Sequence, residues 1–271
     1  MIYITGDTHA DFSRFSNWRC PVQAGDMVII CGDFGGVWND SAMQRYWLDW
    51  LADKPYTIAF ADGNHENFDM LNAYPVDEWN GGKVHFVRPN VIHLMRGQIY
   101  NIEGKTFFVM GGAKSHDISD GILDPADPRF KTKRAALKKR NAYFRVKGVS
   151  WWAEELPSAD EYAEAERNLT AAGNKVDYII THSAPSMVED VIGRGTYAHD
   201  KLTDWLEKVR ETVEFKGWFF GHYHGETIVE DRMVLLYHSI MPLDAFEQFR
   251  ATQAETAEQG TDSAEPDTPN E

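Results

Sequence analysis

The sequence has few cysteines and no long hydrophobic run, and both shortages exclude whole classes of protein. Its two cysteines, Cys20 and Cys31, lack the spacing of a thiolate metal site or a redox pair, so we interpret both as reduced packing residues. The apolar runs, such as 28–30 and 234–237, are far shorter than a bilayer span, so we expect no membrane partner. Strand-like sequence starts directly at Met1, which leaves no room for a signal peptide and predicts a cytoplasmic protein.

Positive charge is also scarce. The chain has 27 Lys and Arg against 42 Asp and Glu, a formal net charge of −15, so nucleic acid is a possible partner but not a favoured one. Residues 252–271 contain six acidic residues, no Lys or Arg and no aromatic residue. Because such a composition cannot bury enough apolar surface to offset its ordering entropy, we expect a disordered acidic tail. The domain is then predicted to span residues 1–251.

The pattern of apolar residues predicts an α/β protein. Several predicted strands are short and almost continuously apolar, which is typical of strands buried on both faces of a sheet. Strands and helices alternate at first, which implies parallel strands with helical crossovers, and later strands follow one another as in hairpins. We expect two mixed sheets packed together with helices outside. The predicted strands are 2–6, 27–32, 56–61, 84–87, 91–95, 98–102, 105–110, 176–181, 216–221, 225–229 and 232–238, and the predicted helices are 41–52, 66–73, 158–173 and 201–213.

Residues 114–150 differ from the rest of the chain in charge. Between Lys114 and Lys147 there are ten Lys or Arg and four Asp. We interpret this segment as a basic insertion in the domain. A basic island inside an acidic protein could attract an anionic substrate, and a solvated helix flanked by a loop is the competing interpretation.

Five short segments each end an apolar, strand-like run with a residue type that binds metals. In open α/β sheets, ligands collect beyond the carboxyl ends of the strands, and every one of these residues occupies that position. Asp7 and His9 are two residues apart at a strand end, so their side chains point to the same side. The repetition predicts one shared metal centre. The segments are Ile4-Thr5-Gly6-Asp7-Thr8-His9, Cys31-Gly32-Asp33, Gly63-Asn64-His65-Glu66, Thr181-His182 and Gly221-His222-Tyr223-His224.

The types of these side chains restrict which metals fit. Two Asp, one Asn and four His give seven nitrogen or oxygen donors, too many for one tetrahedral ion, but four per ion if one Asp bridges. Imidazole and carboxylate ligands without thiolate favour Mn, Fe, Zn, Co or Ni over Ca or Mg. Two such ions about 3.5–4 Å apart would hold a bridging hydroxide and clamp the attacking and leaving oxygens of an in-line displacement.

Together the five segments resemble the calcineurin-like metallophosphoesterases. Members of that family carry GD-x-H, GD, GNH followed by Asp or Glu, a strand-ending His and GH-x-H, and all five occur here in that order over most of residues 1–238. The resemblance implies a four-layer αββα sandwich of two mixed sheets flanked by helices. It also implies a phosphoesterase with two divalent metal ions, Mn²⁺ expected before Fe, Zn, Co or Ni, in which a metal-bridging hydroxide attacks a phosphate ester.

The resemblance further implies a role for each residue. Asp33 and His65 are expected to be catalytic, with His65 contacting the phosphate and protonating the leaving oxygen, and Glu66 orienting His65. Asn64 is expected to touch the substrate as well as a metal. One ion would be held by Asp7, His9, Asp33 and His224, and the second by Asp33, Asn64, His182 and His222, so that Asp33 bridges them.

Two positions depart from the protein Ser/Thr phosphatases of the same family. The second segment continues as Phe34-Gly35-Gly36-Val37-Trp38 without the Arg that grips phosphate in those enzymes, and Ala10 stands where Gly is frequent. A further set of segments is similar to small bacterial or phage members of the family, namely Gly111-Gly112-Ala113, Trp151-Trp152 and Gly221-His222-Tyr223-His224. The sequence therefore disfavours a protein phosphatase.

Three further residues are candidates for the pocket. Arg194 lies between two glycines, and its planar donors suit phosphate oxygens, so we predict a phosphate contact. Trp38 closely follows the second metal segment and could line the pocket, with core packing as the alternative. His116 follows the double glycine and is expected to face the site.

The expected partner is a phosphorylated substrate. The sequence leaves open whether that substrate is a monoester or a diester. The alternatives are a DNA or RNA phosphodiesterase, which the acidic surface disfavours, and a non-catalytic scaffold on the same fold, which the complete set of ligands disfavours.

Overall fold

Two large β-sheets form the centre of the protein in a computed structural model that describes residues 1–16 and 20–261. Strands are numbered in chain order. The first sheet has the order β15-β1-β2-β3-β6-β5-β4, and its strands are β1 (Ile2–Thr5), β2 (Met27–Ile30), β3 (Thr57–Phe60), β4 (Val76–Trp79), β5 (Gly82–Arg88), β6 (Val91–Leu94) and β15 (Ile240–Pro242). The second has the order β13-β14-β12-β11-β8-β7, and its strands are β7 (Gln98–Ile102), β8 (Lys105–Met110), β11 (Tyr178–Thr181), β12 (Gly217–Phe220), β13 (Thr227–Val229) and β14 (Met233–Leu235).

Both sheets are mixed, with a parallel centre and antiparallel edges. In the first sheet β1, β2, β3 and β6 pair in parallel, while β15, β5 and β4 are antiparallel to their neighbours. In the second sheet β8, β11, β12 and β14 are parallel, and β7 and β13 are antiparallel. Because Thr5 pairs with Ile30 and Ile30 with Phe60, the carboxyl ends of β1, β2 and β3 lie level at one edge.

The inner faces of the two sheets pack against each other. Alternate residues of a strand point to opposite faces, so Ile2 and Ile4 of β1 point inward while Tyr3 points outward. Phe107 and Val109 of β8 meet them from the second sheet. This shared apolar layer accounts for the continuously apolar strands, since both faces are covered.

Helices cover the outer face of each sheet. α1 (Ala42–Ala52) and the short α2 (Phe68–Leu71) pack on the first sheet. α4 (Ala159–Ala171), α5 (Ser186–Gly193) and α6 (Lys201–Thr212) pack on the second. The molecule is therefore a four-layer αββα sandwich, which confirms the fold expected from the resemblance.

Residues 114–150 form an ordered segment beside this sandwich. It holds the two-stranded parallel sheet of β9 (Ile122–Leu123) and β10 (Arg145–Val146) and the helix α3 (Phe130–Lys139). No residue of α3 is buried, and five of its ten residues are Lys or Arg. The segment therefore contains the solvated helix considered above, and it also contains two short strands.

The end of the chain is more helical than its composition suggested. α7 extends over Leu243–Thr261, so residues 252–261 of the segment expected to be disordered are helical, and residues 262–271 lie outside the described residues. Ala, Glu and Gln have high helix propensity, and Leu243 and Phe246 anchor the helix start in the core between the sheets. The limit proposed at residue 251 remains a prediction and falls inside this helix.

Within residues 1–16 and 20–261, no helix combines the length and the apolar character that a membrane span requires.

Candidate metal centre

The predicted metal ligands meet at one end of the two sheets. Asp7, Asp33 and Asn64 follow β1, β2 and β3, whose carboxyl ends are level. His182 and His222 follow β11 and β12, which are adjacent and parallel in the second sheet. Because both sheets direct these ends to the same place, side chains far apart in sequence become neighbours.

Two buried carboxylates occupy the centre of this group. Asp7 and Asp33 are each 1% exposed. His182 Nε2 lies 3.3 Å from Asp33 Oδ1, and His224 Nε2 lies 3.3 Å from Asp7 Oδ2. His9 Nε2 lies 3.6 Å from Asp7 Oδ2 and 3.7 Å from Asp33 Oδ2, between the two carboxylates. The structure thus brings five predicted ligands within reach of shared ions.

The donor atoms form three overlapping groups whose members lie within 4.8 Å of one another. Two of the groups share Asp7 and two share Asp33, so the geometry suits adjacent ions with a common carboxylate. His65, expected to contact substrate rather than metal, is close enough to His9 and Asp33 to belong to the third group. The groups are Asp7, His9 and His224; Asp7, Asp33 and His182; and His9, Asp33 and His65.

The two remaining predicted ligands adjoin these groups. Asn64 Oδ1 lies 3.3 Å from His182 Nε2. The backbone N–H of His222 donates to both carboxylate oxygens of Asp7, and its ring lies 5.0 Å from that of His182. His116, expected to face the site, lies beside it, with its Nε2 3.2 Å from His222 Nε2.

The ring of His182 has a fixed orientation. Its Nδ1 is 2.8 Å from the carbonyl oxygen of Cys31, and because a carbonyl only accepts, Nδ1 carries the proton and donates. Nε2 then faces Asp33 Oδ1 and Asn64 Oδ1, at 3.3 Å from each. A hydrogen bond of this kind to the remote nitrogen is the usual way in which proteins orient a metal-binding imidazole.

The surroundings of the carboxylates favour their charged form. Burial alone would raise the pKa of Asp7 and of Asp33, but the charge of His182 and nearby hydrogen bonds lower both below the ordinary value. Burial opposes the proton on His182, yet the two carboxylates raise its pKa to about 10.

This set of donors fits a metal. Within the part of the chain that the structure describes, the ion pairs of Asp7 and Asp33 involve His alone and no Lys or Arg. Buried carboxylates without a permanent cationic partner are the kind that coordinate metal ions.

The backbone at the ligands is unusual. Asp33, His222 and His224 have φ values of 48°, 70° and 48°, and His9 has 46°, in the left-handed region that side chains rarely adopt. Strain of this kind persists where other contacts determine the conformation, and it concentrates at functional sites. Here the N–H of His9 donates to the carbonyl of Asp33 at 2.8 Å, which ties two of these turns together.

Glycine is required at two of the segments by close approach. A Cβ on Gly63 would lie 2.1 Å from Asp33 Oδ1, and a Cβ on Gly221 would lie 2.1 Å from Asp7 Oδ1. Each glycine of these two segments therefore leaves room for a carboxylate delivered by another segment.

Glu66 does not have the expected role. Its carboxylate accepts hydrogen bonds from the N–H groups of Phe34 and Gly35, at 2.7 and 3.2 Å, rather than from His65. Burial, and then the charge of Asp33, raise its pKa well above the ordinary value. Glu66 therefore fixes the loop that follows Asp33, and the hypothesis that it orients His65 is wrong.

Arg145, which the sequence analysis did not single out, places a cation beside the predicted ligands. Its Nη2 lies 3.1 Å from His65 Nε2, its Nε donates to Asp117 at 2.6 Å, and one Nη1–H donates to the carbonyl of Ser150. Arg145 and His65 line a cavity of about 330 Å³ together with Asp33 and Asn64. Burial lowers the pKa of His65, and Arg145 adds to this against the opposing charge of Asp33.

The candidate Arg194 lies elsewhere. It is exposed at the end of α5 and lines a different cavity. The described residues that line this cavity include Tyr197, Tyr223 and Glu230 but none of the predicted metal ligands. The missing Arg of the second segment was a signal that another chain segment must supply the cation. The flanking glycines of Arg194 were a poor guide, because they belong to the end of a helix.

Trp38 lies next to the metal centre. It is half-buried and lines a second cavity, of about 420 Å³, together with His9 and His65. Its ring packs edge-on against Trp152 with 5.5 Å between centroids. Both interpretations of Trp38 therefore hold in part, because the ring packs against another side chain and also lines a pocket.

A two-sheet αββα sandwich with Asp, Asn and His clustered at the strand ends defines a metal-binding protein of the phosphoesterase type. The family model described as calcineurin-like phosphoesterase matches residues 1–226. The chain belongs to this family, and its clustered acidic and histidine residues fit a metal-dependent phosphoesterase. No curated protein matches the chain.

Proposed function

We propose that the protein is a dinuclear metal-dependent phosphoesterase. The observation that carries the proposal is the pair of buried carboxylates, Asp7 and Asp33, surrounded by imidazoles. Membership of the calcineurin-like phosphoesterase family supports hydrolysis of phosphate esters.

The proposed ligands divide between two ions with Asp33 common to both. When bound, such a pair supplies positive charge for the phosphate oxygens and lowers the pKa of water. Mn²⁺ is the proposed metal, and Fe, Zn, Co or Ni suit the same donors. Asp7, His9, Asp33 and His224 would hold one ion, and Asp33, Asn64, His182 and His222 the other.

His65 and Arg145 are proposed to bind the phosphate group. Asp117 and the carbonyl of Ser150 hold one part of the Arg145 guanidinium, and its Nη2 faces His65 at the cavity. A planar guanidinium fits two phosphate oxygens at once. His65 donates a hydrogen bond from its ring to a phosphate or leaving-group oxygen, and Asn64 lies beside it in the same cavity.

Replacing a central ligand tests the proposal. For Asp33→Asn and His182→Ala we expect loss of bound metal, measured by elemental analysis. We also expect hydrolysis of aryl phosphates to fall by more than the ~10–100-fold typical of outer-shell changes. His199→Ala is the matched control, because this exposed histidine pairs with Asp190 away from the ligands. Unchanged turnover in Asp33→Asn would contradict the proposal, and metal-free wild-type protein would support a scaffold instead. Paired aryl mono- and diesters distinguish the two ester classes.

A nuclease is the second candidate, and helix α3 favours it. The five Lys and Arg of Phe130–Lys139, none of them buried, give a basic surface to the segment that also carries Arg145. If this surface holds DNA or RNA, binding will weaken steeply with salt, and neutralising these five side chains will reduce that slope. Arg145 must be left intact in such a variant, since it lies in the site itself.

A further inference from the structure

A second cavity adjoins the metal centre. His9 and His65 lie between this cavity and the metal centre, with their ring centroids 4.9 Å apart. Both side chains line the cavity, and both lie within reach of Asp33. The volume of this second cavity is about 420 Å³, within the range for small-molecule pockets. We call it the aromatic cavity, and its principal lining side chains are Phe12, Trp38, Met43, Gln44 and Trp47.

The aromatic cavity differs in chemistry from the cavity that holds Arg145. Among the described residues that line it, none is Lys, Arg, Asp or Glu, whereas Arg145, Asp117 and Asp33 line the other. A charged phosphate group therefore has its partners on one side of His65. An uncharged, apolar group has its partners on the other side.

The rings of the aromatic cavity are held in place by neighbours. Trp38 packs edge-on against Trp152, whose Nε1 donates to Asp69 at 2.7 Å. Trp47 packs edge-on against Phe12 and Trp50, with centroids 6.4 and 5.3 Å apart. Because the rings are fixed before any ligand arrives, little side-chain freedom is lost on binding.

Hydrogen bonds to Gln44 and Asn67 hold the loop that carries Trp38. Gln44 Oε1 accepts from the N–H groups of Trp38 and Asn39, at 2.5 and 2.8 Å, and Asn67 Nδ2 donates to the carbonyl of Trp38 at 2.7 Å. The Oε1 of Gln44 is thus occupied by the loop.

We propose that the aromatic cavity binds the organic group of the substrate and that this group is a planar aromatic ring. The inference rests on the proposed phosphoesterase function, since it places the phosphate at the metal centre and the ring across His9 and His65. Fixed aromatic side chains stack on a planar ring whatever its substituents, and one such contact is typically worth ~10-fold or more in affinity. The substrate class is therefore an aryl or nucleobase-containing phosphate ester.

Equilibrium binding of phosphonates to the metal-loaded full chain tests this inference without relying on turnover. Calorimetry with methyl-, phenyl- and naphthylphosphonate should show at least ~10-fold tighter binding of the aryl compounds. Trp38→Leu should remove most of that preference and leave the affinity for methylphosphonate within about twofold. Met43→Ala is a second variant that spares the fold, because Met43 is 65% exposed at the cavity mouth. Tyr143→Ala is the control, since Tyr143 is an exposed aromatic residue outside the cavity lining.

The outcomes separate this inference from the proposed function. Equal affinity for methyl- and arylphosphonates, or an equal loss of both in Trp38→Leu and Met43→Ala, would overturn the aromatic site and leave the phosphoesterase standing. Failure to bind any phosphonate would reject the proposed function and this inference with it. A nucleoside monophosphate and phenyl phosphate, compared by kcat/KM, tell the two sources of the ring apart. If kcat/KM for methyl phosphate equals the values for both of these substrates, the inference is contradicted.

Discussion

Asn64 shows how a single ligand depends on residues far along the chain. Its Nδ2 donates to Ser115 Oγ at 3.2 Å, and Ser115 in turn donates to Glu155, from Oγ at 2.7 Å and from its backbone N–H at 3.2 Å. All three side chains are buried. With Nδ2 engaged by Ser115, the Oδ1 of Asn64 points to the ligand cluster.

Ser115→Ala is predicted to weaken metal binding without unfolding the protein. The substitution leaves Asn64 Nδ2 without its partner, so the amide loses its fixed orientation and one ion should bind ~10–100-fold more weakly. Calorimetric titration of metal-free protein with Mn²⁺ measures this. Ser13→Ala, at an exposed serine, is the control. If both Mn²⁺ affinities of Ser115→Ala equal those of the wild type, Ser115 does not position Asn64.

The clustering of the proposed ligands could be predicted from the sequence, but the residues that support the cluster could not. Asp7, Asp33 and His182 each end an apolar strand, and strand ends of parallel sheets converge. Ser115 lies in irregular chain and Arg145 in the two-residue strand β10, where position depends on tertiary contacts. Glu66 was assigned to its sequence neighbour His65, although its hydrogen bonds go to a different loop.

At the scale of elements, the antiparallel pair β5 and β6 holds a buried histidine pair. His85 lies directly opposite His93 in the register, with 3.0 Å between their Nδ1 atoms. His93 Nε2 lies 3.2 Å from Asp62 Oδ1, and Arg96 donates to the other oxygen of Asp62. Burial, and then the charge of His93, lower the pKa of His85 to about 4.

Stability is predicted to fall in mild acid because of His85. The unfolded chain takes up this proton near pH 6.5 and the folded chain only near pH 4, so the unfolded state binds more protons between these values. The free energy of unfolding should therefore fall by up to about 3 kcal/mol as pH falls from 7 to 4. In His85→Asn, the free energy of unfolding measured with urea should fall less between pH 7 and pH 4.5 than it does in the wild type. The exposed His238→Asn is the control, and an equal loss in His85→Asn would refute the assignment.

The strong elements were predictable and the short or atypical ones were not. Helix α4 is preceded by Ser158, whose side chain forms a reciprocal cap with that of Glu161, and the helix lies within the predicted range 158–173. The strand β15 has three residues and exists because β1 offers an edge for antiparallel pairing. Helices α5 and α7 were missed, the first because it directly follows the ligand His182 and the second because its acidic composition resembled a disordered tail.

At the scale of the whole molecule, the ligands join the two sheets. Asp7, Asp33 and Asn64 belong to the first sheet, and His182 and His222 to the second. Elsewhere the inner faces of the two sheets meet mainly through apolar side chains. An ion held by both sets binds the folded molecule and not the separated sheets.

Metal is therefore predicted to raise the melting temperature of the full chain. A ligand at 100 times its Kd stabilises the folded state by about 2.7 kcal/mol, so thermal melts with Mn²⁺ and with chelator should differ by several degrees. His182→Ala should lose most of this difference, while His199→Ala should keep it. Identical melts with Mn²⁺ and chelator in the wild type would contradict a site shared by the sheets.

The division of the donors between two sheets also orders events during synthesis. A ribosome releases Asp7 and Asp33 early, whereas His222 and His224 emerge only after most of the chain has been made. Until β12 has joined β11, a growing polypeptide holds carboxylates without the imidazoles that complete their surroundings. Capture of divalent cations by the full set of proposed ligands would therefore follow the folding of both sheets.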